Sequence, residues 1–451
     1  MVPHRCRFLP WFAARLDALL APPLFLLLPL ALASGSVGCQ RDESGGLDGP
    51  DDAGSQPLPG RLVLQVAPPA QAVTAGRGFS LQVTVQAEGS LPVAAGRRAL
   101  RARRVVDGAA PGDGDVLGEV ELAAAPAPGD AVPLILPLSL WSDGPAGEAR
   151  LELRLEPAPG AQQAGAEDTP RLELAFAVTA WPAGQEPGAG DRRLRVTLDP
   201  ATGVVRQARA VQRDLQLCEE PGTTAWTIRA LDPAGGEQQL AAEGSGFSFR
   251  EVPADGDPAT AAPGRDRGLL LRWRHPGGAL VRGALLPGER EGEWGFSARI
   301  EALAGWTWLS LQYPVLSGIG GLTRRGGGPA PSTYLVLPAA GGYLLHDPGL
   351  LLPREERWYR YPDGAELPLQ LLAYCRKEGE GFYLALLDDT ETARQLGFFR
   401  EPPPRPDRLR AGVVHLAWDR RPGAALEPGG VVTLGLLDPG EGWQGAAERY
   451  R

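Results

Sequence analysis

The chain has 451 residues, a formal net charge of −9, and 43% hydrophobic against 22% charged residues, a globular composition that can bury a sizeable core. Its 60 glycines and 45 prolines favour many short strands joined by turns over long helices. An acidic chain of this kind gives no reason to expect nucleic acid as a partner.

The N-terminus has the make-up of a secretory signal peptide. Basic residues precede an apolar stretch, small residues follow it, and Cys39 comes next. This order resembles a bacterial lipoprotein signal, in which the cysteine becomes the lipidated N-terminus, although Ser36 stands where leucine is usual. We therefore predict a signal peptide over 1–38, lipidation of Cys39, and a protein exported and lipid-anchored to the bacterial cell envelope.

An alternative is cleavage after the Ala-Leu-Ala motif at 31–33, which would give a soluble periplasmic or secreted protein. No second apolar stretch reaches the roughly 18–20 residues of a membrane span. Contact with a membrane is therefore expected through the N-terminal lipid only.

Residues 39–60 lack apolar periodicity and are rich in Gly, Pro and Asp, which predicts a flexible tether. Beyond them, apolar and polar residues alternate with the period of half-buried antiparallel strands at 79–85, 151–155 and 172–178. Turn-rich pieces separate these segments, so we predict an immunoglobulin-like β-sandwich over 61–181. The stretch 94–105 fits either a short helix or a charged edge strand.

Residues 182–191 are predicted to be a linker, and 190–451 a second all-β domain. Its strand patterns lie at 194–198, 269–273, 294–300, 306–311, 334–337, 381–387, 413–418 and 431–437. These are too many for one small sandwich and indicate a large β-sandwich of two sheets. Helix signals are confined to 442–451 and to one or two turns at 390–396.

Four segments of the second domain resemble a known family. They are LQYPVLSGIGGL (311–322), YLVLPAAGGYLLHDP (334–348), RYPDGAELPLQLLAYCRKEGEGFYLALLDDT (360–390) and GWQGAAERYR (442–451). Their succession resembles the galactose-mutarotase-like β-supersandwich that precedes the catalytic barrel in endo-alpha-N-acetylgalactosaminidase-like glycoside hydrolases.

In that family the catalytic carboxylates lie on the barrel. The resemblance therefore implies a carbohydrate context but no catalytic residue in this chain, and no enzymatic activity for the chain alone. It implies a glycoside hydrolase if a catalytic barrel follows Arg451.

Aromatic residues of the second domain are the candidates for contact with a glycan. The flat faces of Trp306, Trp308, Trp358 and Tyr359 could stack on sugar rings, since rigid aromatic side chains bury a large area. Trp306 and Trp308 fall on one face of a predicted strand, so the alternative is that they belong to the core.

Other residues carry separate expectations. Cys218 and Cys375 either form a disulfide or are small buried hydrophobic residues. The acidic cluster at 388–391 predicts a solvated turn rather than a catalytic pair, and His346 predicts a capped turn. The sequence has no metal-ligand motif, and we expect no metal or other cofactor.

Together these observations predict an exported, lipid-anchored, non-catalytic protein associated with glycoside hydrolase chemistry, which contacts a glycan or docks on a catalytic barrel. One alternative is the N-terminal part of a truncated or split glycoside hydrolase. Another is a structural or assembly lipoprotein of the envelope that binds protein partners.

Overall fold

The computed structural model describes residues 61–450 with gaps. The gaps are residues 70, 89–97, 106–115, 123–125, 128, 145, 158–169, 214, 219–221, 223, 254–266, 321, 323–331, 338–341, 349–351, 353–357, 362–369, 387–393, 402–407, 418 and 429. The predicted signal peptide, Cys39 and the tether therefore lie outside the described residues. Within the described part of the chain, no helix is long and apolar enough to cross a membrane.

Eight strands form a first β-sandwich. They are β1 (Arg61–Val66), β2 (Val73–Thr74), β3 (Gly78–Glu88), β4 (Arg98–Arg104), β5 (Val116–Leu122), β6 (Ala131–Ser139), β7 (Gly147–Pro157) and β8 (Arg171–Thr179). One sheet has the order β1, β3, β6 and the other the order β2, β8, β7, β4, β5. Their inward residues form one core, to which β3 contributes Leu81, Val83 and Val85 at alternate positions.

Nineteen strands and one helix of the described chain form a second unit. They are β9 (Gly188–Gly190), β10 (Leu194–Leu198), β11 (Val205–Ala210), β12 (Leu215–Cys218), β13 (Thr227–Leu231), β14 (Glu237–Ala241), β15 (Gly246–Pro253), β16 (Arg267–Arg274), β17 (Leu280–Pro287), β18 (Glu293–Ile300), β19 (Thr307–Ile319), β20 (Thr333–Leu337), β21 (Tyr343–His346), β22 (Trp358–Tyr361), β23 (Leu371–Arg376), β24 (Gly381–Leu386), β25 (Arg394–Arg400), β26 (Leu409–Leu416), β27 (Val432–Leu437) and the helix α1 (Gly442–Tyr450).

These strands belong to one curled sheet that closes on itself and folds into two facing layers. The front layer comprises, in pairing order, β14, β13, β19, β26, β25 and β22. The back layer comprises β15, β16, β17, β18, β27, β24, β23, β20 and β21. The main core lies between them, because Leu311 and Val413 of the front layer share one cluster with Leu271 and Leu384 of the back layer.

Two elements cover the outer face of the back layer. Helix α1 packs through Ala446 on a cluster that includes Cys375 and Tyr383. Trp141 of the first sandwich packs on Leu270 and its neighbours on β16 and β17. The outer face of the front layer therefore lies on the opposite side of the core from both covering elements.

The expected all-β fold, a small sandwich followed by a large β-supersandwich, is confirmed, and α1 occupies the predicted C-terminal position. The described part of the stretch 94–105 contains strand β4, which pairs with both β5 and β7 and is therefore an interior strand rather than the edge strand expected as one alternative. The helical turn predicted at 390–396 is wrong in its described part, because Arg394 begins β25 and every second residue, Leu396 and Phe398, enters the core. Strand β9 lies within the predicted linker, where it pairs with β10.

Candidate functional site

Three of the four aromatic residues predicted to contact a glycan belong to the core. Trp308 is only 2% exposed and lies in the main cluster. Trp306 and Tyr359 are half-buried against that cluster, and the rings of Trp306 and Trp308 stack with centroids 5.8 Å apart. The shared face predicted for Trp306 and Trp308 is thus an inward face.

Trp358 lies on the other side, on the outer face of the front layer. It is half-buried and does not pack against the main core, because it alternates with Tyr359 on β22. The β pairing places Trp358 opposite Gly397 of β25, which in turn is opposite Gly412 of β26. A Cβ at Gly397 would lie 2.6 Å from Trp358 Cε3, so the ring needs a residue without a side chain beneath it.

Gln312 approaches the same place from β19. A Cβ at Gly412 would lie 3.3 Å from Gln312 Nε2 and 3.5 Å from Trp358 Cη2. Thr227 Oγ1 donates a 2.7 Å hydrogen bond to Gln312 Oε1, and this contact determines which way the amide faces. Gln312 Nε2 is buried and has no hydrogen-bond acceptor among the described residues.

Phe399 and Arg410 complete this part of the outer face. The Phe399 ring meets Trp358 edge-on at 5.4 Å between centroids, and the Arg410 guanidinium carbon lies 4.7 Å from the Phe399 centroid. We define the Trp358 face as Trp358, Phe399, Gln312 and the two glycines, Gly397 and Gly412. Phe399 is only 1% exposed, so the half-buried Trp358 supplies the accessible aromatic surface of this face. An aromatic ring beside an oriented amide suits the apolar face and hydroxyl groups of a sugar.

The sequence analysis missed Gln312, Gly397, Gly412 and Phe399. The available signal was the presence of single glycines inside strand patterns, which marks a close approach of another group to the backbone. Gln312 gave no such signal, because a glutamine at an outward strand position is ordinary.

The other predicted residues do not gather into one site. His346 is exposed at the end of β21, and the following Asp347 has φ 46° and accepts a 3.3 Å hydrogen bond from Thr333 N, which agrees with a turn. His275 Nδ1 accepts a 3.0 Å hydrogen bond from Gly277 N in a separate turn. The acidic cluster at 388–391 lies outside the described residues. The described residues hold no group of three metal-ligating side chains.

His415 lies on β26 and is 3% exposed. Its Nε2 lies 2.9 Å from Tyr313 O and donates to it, since a carbonyl oxygen can only accept. Burial, and then the charge of Arg394 on the neighbouring strand, lower the pKa of His415 to about 3. This histidine is therefore a neutral structural group.

Cys218 and Cys375 are both buried, and neither forms a disulfide in the structure. Cys218 belongs to the main core, whereas Cys375 lies in the cluster under α1 on the outer face of the back layer. The predicted disulfide is therefore absent, because the two side chains lie on different faces of the sheet. Cys218 and Cys375 agree instead with the alternative prediction, that they are small buried hydrophobic residues.

The sequence matches no model of a known protein family, and a search of curated proteins found none similar to it. Among solved structures, the CARDB domain of a Pyrococcus furiosus protein, in complex with di-metal ions, is similar with a TM-score of 0.19 and 11% identity over 28% of this chain and 96% of that one. An alpha-N-acetylgalactosaminidase from Bifidobacterium bifidum, in complex with GalNAc, is similar with a TM-score of 0.31 and 10% identity over 59% of this chain.

The match spans only 38% of that Bifidobacterium enzyme. A galactose mutarotase related enzyme from Lactobacillus acidophilus is similar with a TM-score of 0.32 and 8% identity, over 57% of this chain and 99% of that one.

Proposed function

We propose that this protein is an exported, lipid-anchored and non-catalytic glycan-binding protein, and that the Trp358 face contacts the glycan. The observation that carries the proposal is the position of the Trp358 ring, which lies over Gly397 and Gly412 on the outer face of the front layer. A half-buried indole packed against backbone glycines presents an apolar surface at low entropic cost.

The polar part of the proposed contact is Gln312. Its carbonyl oxygen is occupied by Thr227, so its amide nitrogen is the group left to donate to a sugar oxygen. A buried donor without an acceptor costs about 1–3 kcal/mol, and an acceptor supplied by a ligand would recover that cost. A small displacement of Trp358 on binding would expose this nitrogen, since Gln312 Nε2 and Trp358 Cη2 both lie over Gly412.

Binding to a printed array of glycans, followed by calorimetry with each glycan retained, tests the proposal. Trp358→Ala is expected to weaken binding by about tenfold or more, because the stacking surface is lost. Trp306→Ala is the matched control, since Trp306 is also half-buried but packs on the core, and its binding affinity should stay at the level of the unmodified protein. Thermal unfolding of both variants shows whether each remains folded.

Retention of no glycan by the unmodified protein would contradict the proposal. Equal affinity of the unmodified protein and the folded Trp358→Ala variant would also contradict it. The anchor is tested separately by the intact mass of protein extracted with detergent from its own membranes. A mass with acyl chains on Cys39 supports anchoring, whereas a lipid-free chain that begins after residue 33 contradicts it.

A second candidate function is docking to a protein partner, either a catalytic domain or an envelope protein. Trp443 of α1 is 41% exposed and Leu344 of β21 is 54% exposed. Leu344 is opposite Val336 in the pairing of β20 and β21, and Val336 packs on the cluster that α1 covers. The two exposed side chains thus flank one cluster, and exposed apolar surface of this kind is typical of interfaces.

Cross-linking in the native membrane tests this second function. A photo-reactive residue at position 443 should capture one protein reproducibly, and the same probe at Glu448, on an exposed turn of the same helix, should not. Absence of any captured partner at position 443 would contradict it.

A further inference from the structure

The first sandwich is attached to the outer face of the back layer through Trp141. This residue follows β6 closely, is 8% exposed, and packs on Leu270 of β16 and Ala284 of β17. Val252 and Leu286 border the same cluster. The apolar surface of the back layer at this point is therefore buried by a residue of the first sandwich.

Two guanidinium groups of the second unit lie over the Trp141 ring. The guanidinium carbons of Arg272 and Arg250 lie 4.1 and 5.1 Å from the ring centroid. Arg272 also donates to both carboxylate oxygens of Asp143, at 3.0 Å each, and its side chain is only 6% exposed. Both hydrogen bonds come from the same nitrogen, Nη2, so the contact is bifurcated. This charged contact and the cation–π contact together restrain Trp141 and Asp143 beside a desolvated Arg272.

Backbone hydrogen bonds join the same two units at strand β15. Ser142 N donates to Phe249 O at 2.8 Å, and Phe249 N donates to Ser142 Oγ at 3.0 Å. Glu251 N donates to Gly76 O at 2.8 Å. The first sandwich thus contacts β15 at two places in its own chain, near residues 76 and 142, which opposes rotation about either one.

The contact between the two units also limits which residue can stand at position 76, where the chain has a glycine. Its φ is 87°, and a Cβ there would lie 2.9 Å from Trp181 Cε3 and 3.0 Å from Phe249 Cε2. Only glycine combines that backbone conformation with the space available. Both aromatic neighbours lie at the junction, where their rings meet edge-on at 4.9 Å.

We propose that this junction is a permanent lock, which makes the first sandwich a fixed spacer and holds the Trp358 face on the side of the second unit opposite the first sandwich. The junction lies on the outer face of the back layer, and the Trp358 face lies on the outer face of the front layer, with the main core between them. The inference rests on the proposed function only in treating that face as the binding face.

Electron-electron double resonance between two spin labels tests the lock. Ala177→Cys on β8 and Gln239→Cys on β14 place the labels on exposed positions of the first sandwich and the front layer. The full chain is used with Cys6→Ser and Cys39→Ser, and Cys218 and Cys375 are buried and stay unlabelled. The unmodified junction should give one narrow distance distribution, and Trp141→Ala should broaden it at least twofold.

Trp306→Ala is the control for loss of an indole outside the junction and should leave the distribution narrow. Asp143→Asn, at a side chain that is 38% exposed, is the milder variant if Trp141→Ala does not fold, and should also broaden the distribution. A broad distribution with the unmodified junction would overturn the proposal. An unchanged narrow distribution in the junction variants would overturn it as well. No glycan is present in this measurement, so its failure is distinct from a failure of glycan binding.

Discussion

Gln312 Nε2 and Trp358 Cη2 converge over Gly412, at 3.3 and 3.5 Å from the place where a Cβ would stand. The two residues come from β19 and β22, on either side of β25 and β26 in the front layer, and only the absence of side chains between them lets them meet. The glycines therefore belong to the Trp358 face as much as the aromatic ring does.

Gly397→Ala is expected to displace the Trp358 ring and to weaken glycan binding as strongly as Trp358→Ala. A Cβ at 2.6 Å from the ring cannot be accommodated without movement, and overpacking of this kind costs about 1–3 kcal/mol. Calorimetric binding and thermal unfolding measure the two effects. Gly246→Ala is the matched control, because its nearest contact would be 3.9 Å away, and wild-type stability is expected there.

Gln312→Glu should weaken glycan binding while leaving Trp358 in place. The substitution keeps the shape of the side chain and the acceptor for Thr227 Oγ1, but it replaces the donor at Nε2 by a second acceptor. We expect about a tenfold loss of affinity for glycans that contact this position. If Gln312→Glu binds the glycan with unchanged affinity while Trp358→Ala binds it weakly, then Trp358 contacts the glycan and Gln312 does not.

His415 should make the protein less stable in mild acid. Its folded pKa of about 3 lies below the value near 6.5 of the unfolded chain, so the unfolded state binds a proton that the folded state does not. The contribution of neutral His415 to the free energy of unfolding is complete above about pH 6.5. It decreases by at most about 1.4 kcal/mol per pH unit as the pH falls towards 3. Urea unfolding at several pH values measures this slope.

His415→Gln is the variant for this measurement, since a glutamine amide can donate to Tyr313 O but does not titrate. The variant should show a shallower decrease of unfolding free energy with acid than the unmodified protein. Identical slopes would mean that the pKa of His415 is the same in the folded and unfolded states, which would contradict the prediction.

Arg449 should determine whether α1 stays on the sheet. It donates to both oxygens of Glu441 at 2.7 and 2.9 Å and to Leu436 O at 2.6 Å, and lies 5.7 Å from the centre of the Tyr383 ring. Arg449→Met is expected to cost about 1.5–3 kcal/mol of unfolding free energy, because Glu441 and a carbonyl lose a charged donor. Hydrogen exchange of α1 should accelerate. Glu448→Gln, exposed on the same helix, should change neither quantity.

The thiols of Cys218 and Cys375 should resist alkylation until the protein unfolds. Burial raises the pKa of Cys375 to about 12, and Cys218 is fully buried in the main core. Alkylation at about pH 8, mapped to each residue by mass spectrometry, should label neither in the native state and both in denaturant without reductant. Failure of both to react in denaturant would reveal the disulfide that the structure lacks.

The strands could be predicted from the sequence because their signal is local. Leu81, Val83 and Val85 alternate with polar residues, and that pattern alone defines one buried face. The face of Trp358 could not be predicted in this way. Its neighbours on β22 are also aromatic, so the pattern does not separate inward from outward positions. Only the pairing with Gly397, a long-range contact, places Trp358 outside the core.

The position of Trp308 was equally open in the sequence. Strand β19 is buried along most of both faces, so its tryptophan could not be distinguished from an exposed one by periodicity. The junction at Trp141 could not be predicted from the sequence either. It depends on contacts with Arg250 and Arg272, which lie far from Trp141 in the chain.

The attachment of the first sandwich and of α1 to the same layer has a practical consequence for handling the protein. An affinity tag or surface linkage placed after residue 450 would follow α1, which packs on the outer face of the back layer. Protein immobilised in this way is expected to turn the outer face of the front layer, and Trp358 with it, towards the solution.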